Sequence, residues 1–385
     1  MKRYLGILVF AVSAFGQSIP SGVRIPATAR IPAGVVSSGR GGYAHYVAIT
    51  TASGQEGSSD SSGFPVMVNT STLSIATNLA APGSGGYVQN TVTQTGGNGG
   101  MEPADAVFGT TSDCSTLLPW ETETYTATTG AWIVWVQLPT LHHSAQDTFY
   151  LCFDAVSVTT QQNTGSYAPS AVWDTYSQAV FHLAETTVTN GSTLHDSTAN
   201  GNNATVVTTS YSAATGEIDG GINLGASAGG AYASLGGTIT QSGARTHSFW
   251  TQGQSSYPGN VSAGNGSHYS AYLASGTVYA SNASGYIAAT LNTITSGAWY
   301  HIAVTVDSSG NYTFYQNGSS IGTGSLTGGT TVTTLFNLGA SLAYSTGGVN
   351  DEFRFESTNR SASWVAAEYN NQKPSSTFLT AGSLH

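Results

Sequence analysis

The sequence predicts an all-β protein of two β-sandwich domains, and three observations carry that expectation. Glycine is abundant, with 48 residues in 385, while charged side chains make up only 7%. Ser, Thr and Asn runs take their place, the composition of chains whose turns need Gly and Asn and whose strands take Thr, Tyr and Val. Short apolar segments alternate with a period of two, and turn signals interrupt them about every ten residues, the spacing of a sandwich or jelly roll.

The stretch WYHIAVTVDSSGNYTFYQNGSSIG, Trp299 to Gly322, shows the pattern most plainly. Ile302, Val304 and Val306 fall on one side of an extended segment, and His301, Ala303 and Thr305 on the other. Asp307 to Asn311 supplies a turn, because Gly310 and Asn311 tolerate positive φ. Tyr312, Phe314 and Gln316 then alternate with Thr313 and Tyr315 until Asn317-Gly318, a strong two-residue hairpin signal. Three antiparallel strands follow.

At the N-terminus Lys2 and Arg3 precede an apolar run from Tyr4 to Phe15, and Ala14 and Gly16 form a small-x-small cleavage pattern. Residues 1–16 therefore read as a secretory signal peptide, too short for a stable membrane span. No later window holds eighteen apolar residues, so the mature protein is expected to be soluble outside the cytoplasm, secreted or at the exterior or periplasm of the cell envelope. Without Lys2 and Arg3 the chain carries 7 basic against 19 acidic groups, a formal charge of −12. Phosphate-rich partners are repelled by such a surface, which disfavours nucleic acid. Cys114 and Cys152 are the two cysteines. Export makes a disulfide between them the first expectation, with two buried free thiols as the alternative. Two sulfurs alone make no zinc site, and neither CxxC nor HExxH occurs.

Residues 17–40, rich in Ser, Pro, Arg and Gly, read as a linker, and a first sandwich is expected over 41–157. Tyr46–Thr50 and Phe64–Val68 are short β-type runs, and Pro82 to Gly100 is a series of polar connections. Within residues 118–154, Trp132, Val134 and Val136 alternate with Ile133, Trp135 and Gln137, and Thr148–Phe153 is a further strand. Both faces there are apolar enough to need cover, which two packed sheets would supply. Residues 158–175 turn polar and mark a domain boundary. A second sandwich over 176–380 then runs through strands at 246–251, 269–273, 278–281 and 285–291, the hairpins above, TTVTTLFNLGAS and GGVNDEFRFE. Ser361 can cap a short helix from about Ala362 to Asn371, with Val365 and Tyr369 on its buried side and Pro374 as its stop.

The pieces AVFHLAE, HDSTANGNNATV, GEIDGGINL, AWYHIAVTVDSSGNYTFYQNGSSIGTG and VNDEFRFESTNRSASWVAAEYNNQ occur in the order found in the laminin-G-like, concanavalin A-like jelly rolls of bacterial surface proteins, which residues 176–380 resemble. FPVMVN, ADAVFGTTSDC, LPWETETYTATTG, WVQLPTL and DTFYLCF similarly make residues 41–156 resemble the domain of unknown function 2341, with Phe153-Asp154 where that family usually has Tyr-Gly. The first resemblance implies a structural Ca²⁺ held by Asp351 at the head of the last strand, with Asp196 and Asn200 of an early turn as further oxygen donors. The other reading of these residues is that Asp351 caps a turn and Glu352 pairs with Arg354 or Arg360.

No organised catalytic set is evident. Glycan-hydrolysing members of this broad fold place paired carboxylates on one strand. Here Glu121 and Glu123 lie in the first domain, and Asp351 and Glu352, being adjacent, are expected to point to opposite faces. Gly225 to Gly229 fits GxSxG without the strand and helix that a nucleophile elbow needs. His142-His143 reads as a solvated turn, and His182 and His301 as histidines of the core or rim. What remains is aromatic: Trp250, Tyr257, Tyr269, Tyr272 and Tyr286 could offer flat apolar faces to sugar rings. The expected function is non-catalytic recognition of a glycan or another surface molecule. A polysaccharide-active enzyme (glycosidase or lyase) and a purely structural or adhesive component are the alternatives, and the ligand's identity is not legible.

Overall fold

The computed structural model describes residues 42–97, 99–207, 211–223, 226–228, 232–241, 243–252, 262–264, 269–274, 276–282, 285–326, 332–338, 344–346 and 348–385. All strand pairings described are antiparallel, and the one α-helix among the described residues is Ala362–Gln372. The first sandwich packs a four-stranded sheet, in the order Leu379–Leu384, His45–Thr51, Thr148–Phe153 and Ala106–Gly109, on a three-stranded sheet of Ser61–Asn69, Ala131–Leu141 and Trp120–Thr126. Val47, Ile49, Phe64, Val66, Trp132 and Val134 fill the space between them. Cys114 and Cys152 are joined by a disulfide across 38 residues, the first of the two expectations for them.

The second sandwich is built on an eight-stranded sheet in which Val349–Glu356 lies beside Arg245–Gln252, followed by Trp299–Val306, Asn311–Gln316 and Ser319–Ser325. Asn317 and Gly318 adopt φ of 51° and 73° and close the last hairpin, as their sequence signature implied. Phe249, Ile302, Val304, Phe314, Phe353 and Phe355 form the core of this half, against sheets that contain Ala204–Val207 and Tyr269–Ala274.

Two features tie the halves into one compact unit, Ser38–His385. The helix starts where Ser361 accepts the Trp364 backbone N–H at 3.1 Å, the expected cap. It is then buried on two sides: Val365 packs on Ala303 and Tyr315 of the large sheet, while Trp364 and Ala367 enter the first sandwich's core. Beyond it, Leu379–Leu384 pairs with His45–Thr51, so the last residues cover an edge of the first sandwich. The second feature concerns Ile133 and Trp135. They face away from their sheet's core and are covered by Val172 and Trp173 together with Val180, on the Ser177–Phe181 strand that pairs with Val349–Glu356 in the eight-stranded sheet.

The expectation that Asp351 and Glu352 point to opposite faces is not met. The pairing of Arg245–Gln252 with Val349–Glu356 slips between Ser248 and Trp250, and Glu352 has φ of 51°. This β-bulge breaks the alternation, and both acids are buried, at 0% and 1% exposure. Past the bulge the alternation resumes: Phe353 and Phe355 enter the core and Arg354 faces the first sandwich.

Candidate functional site

The rare charged side chains of this chain are concentrated where the two sandwiches meet. On Trp120–Thr126, Trp120 enters the first core, whereas Glu121 and Glu123, two apart, share the opposite face. Glu121 Oε2 accepts the Trp173 indole N–H at 2.6 Å, and Glu123 Oε2 accepts that of Trp135 at 2.8 Å. His182 follows the Ser177–Phe181 strand and lies over the Trp135 ring, with centroids 5.5 Å apart and planes 22° from parallel. Its Nδ1 donates to Glu352 Oε1 at 2.5 Å and lies 3.6 Å from Glu123 Oε2, and its Nε2 lies 3.6 Å from Glu121 Oε2. Arg354 completes the layer: Nη2 donates to Glu352 at 2.9 Å and Nη1 meets Glu368 of the helix at 3.2 Å. Its guanidinium sits 4.5 Å from the Trp135 ring centroid and 5.0 Å from that of Trp173.

Burial and charge oppose each other in this cluster. Desolvation would drive the proton off His182, but the Glu352 and Glu123 carboxyls and hydrogen bonding to Glu121 and Glu352 outweigh it, and its pKa lies well above the usual value. Burial raises the Glu123 pKa well above the carboxylate range, reinforced by Glu352 and only partly offset by His182. Burial acts on Glu352 as well, but the His182 and Arg354 charges overcome it and hold that carboxyl below its normal value. The cluster thus favours an imidazolium, a guanidinium and an ionised Glu352, with Glu123 pushed toward its protonated form.

Ligand atoms of Glu123, His182 and Glu352 lie within 4.8 Å of one another, close enough to suggest a metal site. The set does not fit one. The imidazole Nδ1 is spent on Glu352, Glu123 carries an indole donor, and a guanidinium already stands 2.9 Å from Glu352. The calcium set also fails on its donors. Asp196 accepts the Val180 and Thr198 N–H groups on Oδ1, and the Thr198 hydroxyl and Asn202 N–H on Oδ2. Those hydrogens occupy the lone pairs that a cation would need. Asn200 turns its amide nitrogen to the Ser177 and Gln178 carbonyls. Asp351 Oδ2 accepts from the Glu217 and Ile218 backbone at 2.9 and 3.0 Å, the turn-capping alternative, while Glu352 takes the Arg354 partnership. Chelator treatment is expected to leave the unfolding temperature unchanged; a fall reversed by added calcium would overturn this reading of Asp196.

Above Glu123 the seam opens into a cleft of about 810 Å³. Glu123 and Thr124 form one wall; the other is made by the segment Ala184 to His195 and by Ala213 to Gly220. Thr186, Thr187, Ser192 and Thr193 bring hydroxyl groups, and no Lys or Arg among the described residues lines the cleft. Glu185 accepts the His195 backbone N–H at 2.8 Å and lies 3.2 Å from its Nδ1, a hydrogen bond that raises the imidazole pKa. Desolvation raises the pKa of half-buried Asp219 too, with His182 opposing and Glu352 assisting. The GEIDGG turn carrying Asp219 is tightly seated: a Cβ on Gly216 would lie 2.5 Å from Asp351 Oδ2, and one on Gly220 would lie 2.5 Å from Ala184 Cα.

Of the aromatic residues considered, Trp250 is buried, with its N–H on Gln372, and Tyr286 is 72% exposed, its ring 6.1 Å from that of Tyr279. Tyr257 and the side chains of Tyr269 and Tyr272 lie outside the described residues. So do Gly225 and Gly229 of the GxSxG match, and the next described segment, Tyr232–Gln241, is a strand rather than a helix. His142 and His143 lie on an exposed turn, paired with Asp147 and Asp60 at 2.6 and 2.7 Å. His301 is buried with its Nε2 3.7 Å from Glu368.

Residues 227–366 match the concanavalin A-like lectin/glucanases superfamily, and the first sandwich lies outside that match. No curated protein matches the sequence. Among solved structures, the chain is similar to the binding domain of Paraclostridial Mosquitocidal Protein 1, at 18% identity over 51% of this chain and 52% of that one, with a TM-score of 0.40. It is similar to the receptor binding domain of botulinum neurotoxin D, at 15% identity over 51% and 53%, with a TM-score of 0.40. Domain 4 of AbnA, a GH43 extracellular arabinanase from Geobacillus stearothermophilus in complex with arabinotriose, is similar at 19% identity over 49% and 96%, with a TM-score of 0.39. The match spans about half the length of the first two of these chains. No helix among the described residues is long and apolar enough to cross a membrane.

Proposed function

We propose that this is an exported, non-catalytic recognition protein whose ligand is a glycan, bound in the cleft between the laminin-G-like jelly roll and the first sandwich. The observation that carries this reading is the cleft's lining, in which Thr and Ser hydroxyls stand beside the carboxylates of Glu185 and Asp219. Hydroxyls both donate and accept and carboxylates accept, so together they match the mixed donors and acceptors of a sugar. The acids that converge most closely are sealed from any substrate: the Glu121 and Glu123 side chains are 0% exposed and Glu352 1%. Exposed Tyr286 is a second, separate surface on which a sugar ring could stack.

A lining that presents the carboxyls of Glu185 and Asp219 and, among the described residues, no Lys or Arg selects neutral or amino sugars over uronic-acid-rich ones. A glycan array followed by calorimetry on the best hit checks this. Asp219→Asn is expected to weaken binding at least about tenfold, the loss of one charge-assisted hydrogen bond worth roughly 1.5–3 kcal/mol. Unchanged affinity in that variant, or an array that retains nothing, would remove the cleft from consideration. One observation favours a second reading, a polysaccharide-active enzyme: Glu185 and Asp219 line the same cleft, and burial raises the pKa of Asp219. A reducing-sugar assay that turns positive with the intact chain and is silenced by Glu185→Gln would establish that reading instead.

A further inference from the structure

We propose that the two walls of this cleft are clamped by a proton-dependent lock, in which the His182 imidazolium bridges Glu121 and Glu123 of the first sandwich to Glu352 of the second and releases them when it loses its proton. The lock rests on the functional reading only in that its opening would reshape the cleft; the contacts are there whatever the cleft binds.

The geometry gives the proton no substitute. Every element packed on His182 presents charge or a ring to it. Trp120–Thr126 brings Glu121 and Glu123, each 3.6 Å from a ring nitrogen, and Val349–Glu356 brings Glu352 at 2.5 Å with Arg354 behind it. The helix reaches the cluster through Glu368, bound to Arg354, and the GEIDGG turn through Asp219, while Asp351 is turned to that same turn's backbone. Trp135 and Trp173 close the remaining sides with their rings. A protonated imidazole has two N–H groups and can serve both sandwiches at once. A neutral one has a single N–H. Kept on Nδ1 for Glu352, it leaves the Nε2 lone pair facing the Glu121 carboxylate; moved to Nε2, it abandons Glu352. Either way the positive charge between the sandwiches is gone: Glu121 keeps the Trp173 indole N–H and Glu352 keeps Arg354, but the carboxylates facing the ring lose the cation that joined them across the seam. No water-exposed route relieves this, because the side chains involved are 0–4% exposed.

The direction in pH follows from the same groups. His182 is held above its usual value of about 6.5, so its contribution is complete below that pH and is lost as pH rises through its folded-state value. Glu123, also raised, is pushed toward its neutral form in the folded state, so its ionisation works against the closed seam as pH rises. Glu352 is held below its normal value, and Glu368, which burial would raise but Arg354 and His301 lower, is brought down to about 2. These two keep their charge into acid, so the seam is tight in mild acid and loosens in alkali.

Hydrogen–deuterium exchange on the intact chain, without ligand, tests this at about pH 6 and about pH 9, with rates corrected for intrinsic base catalysis. Peptides covering Trp120–Thr126, Ser177–Phe181 and Val349–Glu356 are expected to exchange roughly tenfold faster or more at the higher pH, while Thr148–Phe153, away from the seam, keeps its protection. His182→Gln should abolish the difference between the two pH values. Should that variant not fold, Glu121→Gln, which keeps an acceptor for Trp173 but removes a charge facing the imidazole, should move the midpoint of opening to lower pH. Equal protection at both pH values in the wild type, or a midpoint unmoved by Glu121→Gln, would overturn the lock. Because no ligand is present, a failure of glycan binding leaves this result untouched, and the converse also holds.

Discussion

Replacing Arg354 with alanine is expected to destabilise the folded chain by about 3–5 kcal/mol, the usual result of removing one partner from a buried ion pair. The guanidinium is 4% exposed and contacts both Glu352 and Glu368. Without it, Glu352 keeps only His182, and Glu368 keeps the Ser248 hydroxyl at 2.8 Å and a histidine at 3.7 Å. The two indole faces that sandwich the guanidinium also lose their cation, a further stacking contribution that Lys would not restore because its ammonium is neither planar nor forked. Arg354→Lys should therefore fall between wild type and Arg354→Ala in urea denaturation. Since the helix and the last strand join both halves, the loss should appear as a lower midpoint of one shared transition. A loss under about 1 kcal/mol in the alanine variant would mean that the cluster is not a closed network, because exposed pairs reach no more than that.

Local sequence specified local structure well, and long-range structure poorly, for identifiable reasons. The hairpins around Asn317-Gly318 and the Ser361 cap depend on residues a few positions apart, and they formed as their chemistry implied. The jelly roll was legible because five motifs recur in a fixed order. The seam was not. Glu352 has no local feature that announces a left-handed backbone, so strict alternation was the natural expectation, and the bulge that overturns it depends on the register of a strand about a hundred residues earlier. Trp135 and Ile133 were correctly identified as needing cover; part of it came from Val180 on a strand of the eight-stranded sheet, but Val172 and Trp173 supplied the rest from within what looked like a polar connection. One signal could have exposed the site. In a chain with 7% charged residues, Glu121, Glu123, Glu352, Arg354 and Glu356 all sit inside strands, and Glu368 inside the helix. Charges spent there must be paired when buried, and the opposite signs available name the partners.

Removing the disulfide with the double substitution Cys114→Ala and Cys152→Ala is expected to cost about 4 kcal/mol, the chain-entropy value for a loop of this length. The 38-residue separation encloses the whole of Trp120–Thr126 and Ala131–Leu141, and with them Glu121, Glu123 and Trp135 of the seam. The cross-link therefore restricts, in the unfolded chain, the segment that supplies one side of the charged cluster. Native packing at the site should survive, because Val107 and Phe108 remain paired with Cys152's position and with Leu151 in the outer sheet, and both sulfurs are replaced by small apolar groups in a buried setting. The loss should thus appear mainly in the denatured state: a lower midpoint with a larger denaturant slope, since the uncrosslinked chain exposes more surface on unfolding. Reduction of the wild type should reproduce both changes. A variant that loses stability with no rise in slope would place the effect in native packing around Phe108 and Leu151 instead, and a variant as stable as wild type would mean that the strands of the first sandwich already hold this loop as tightly as the covalent bond does.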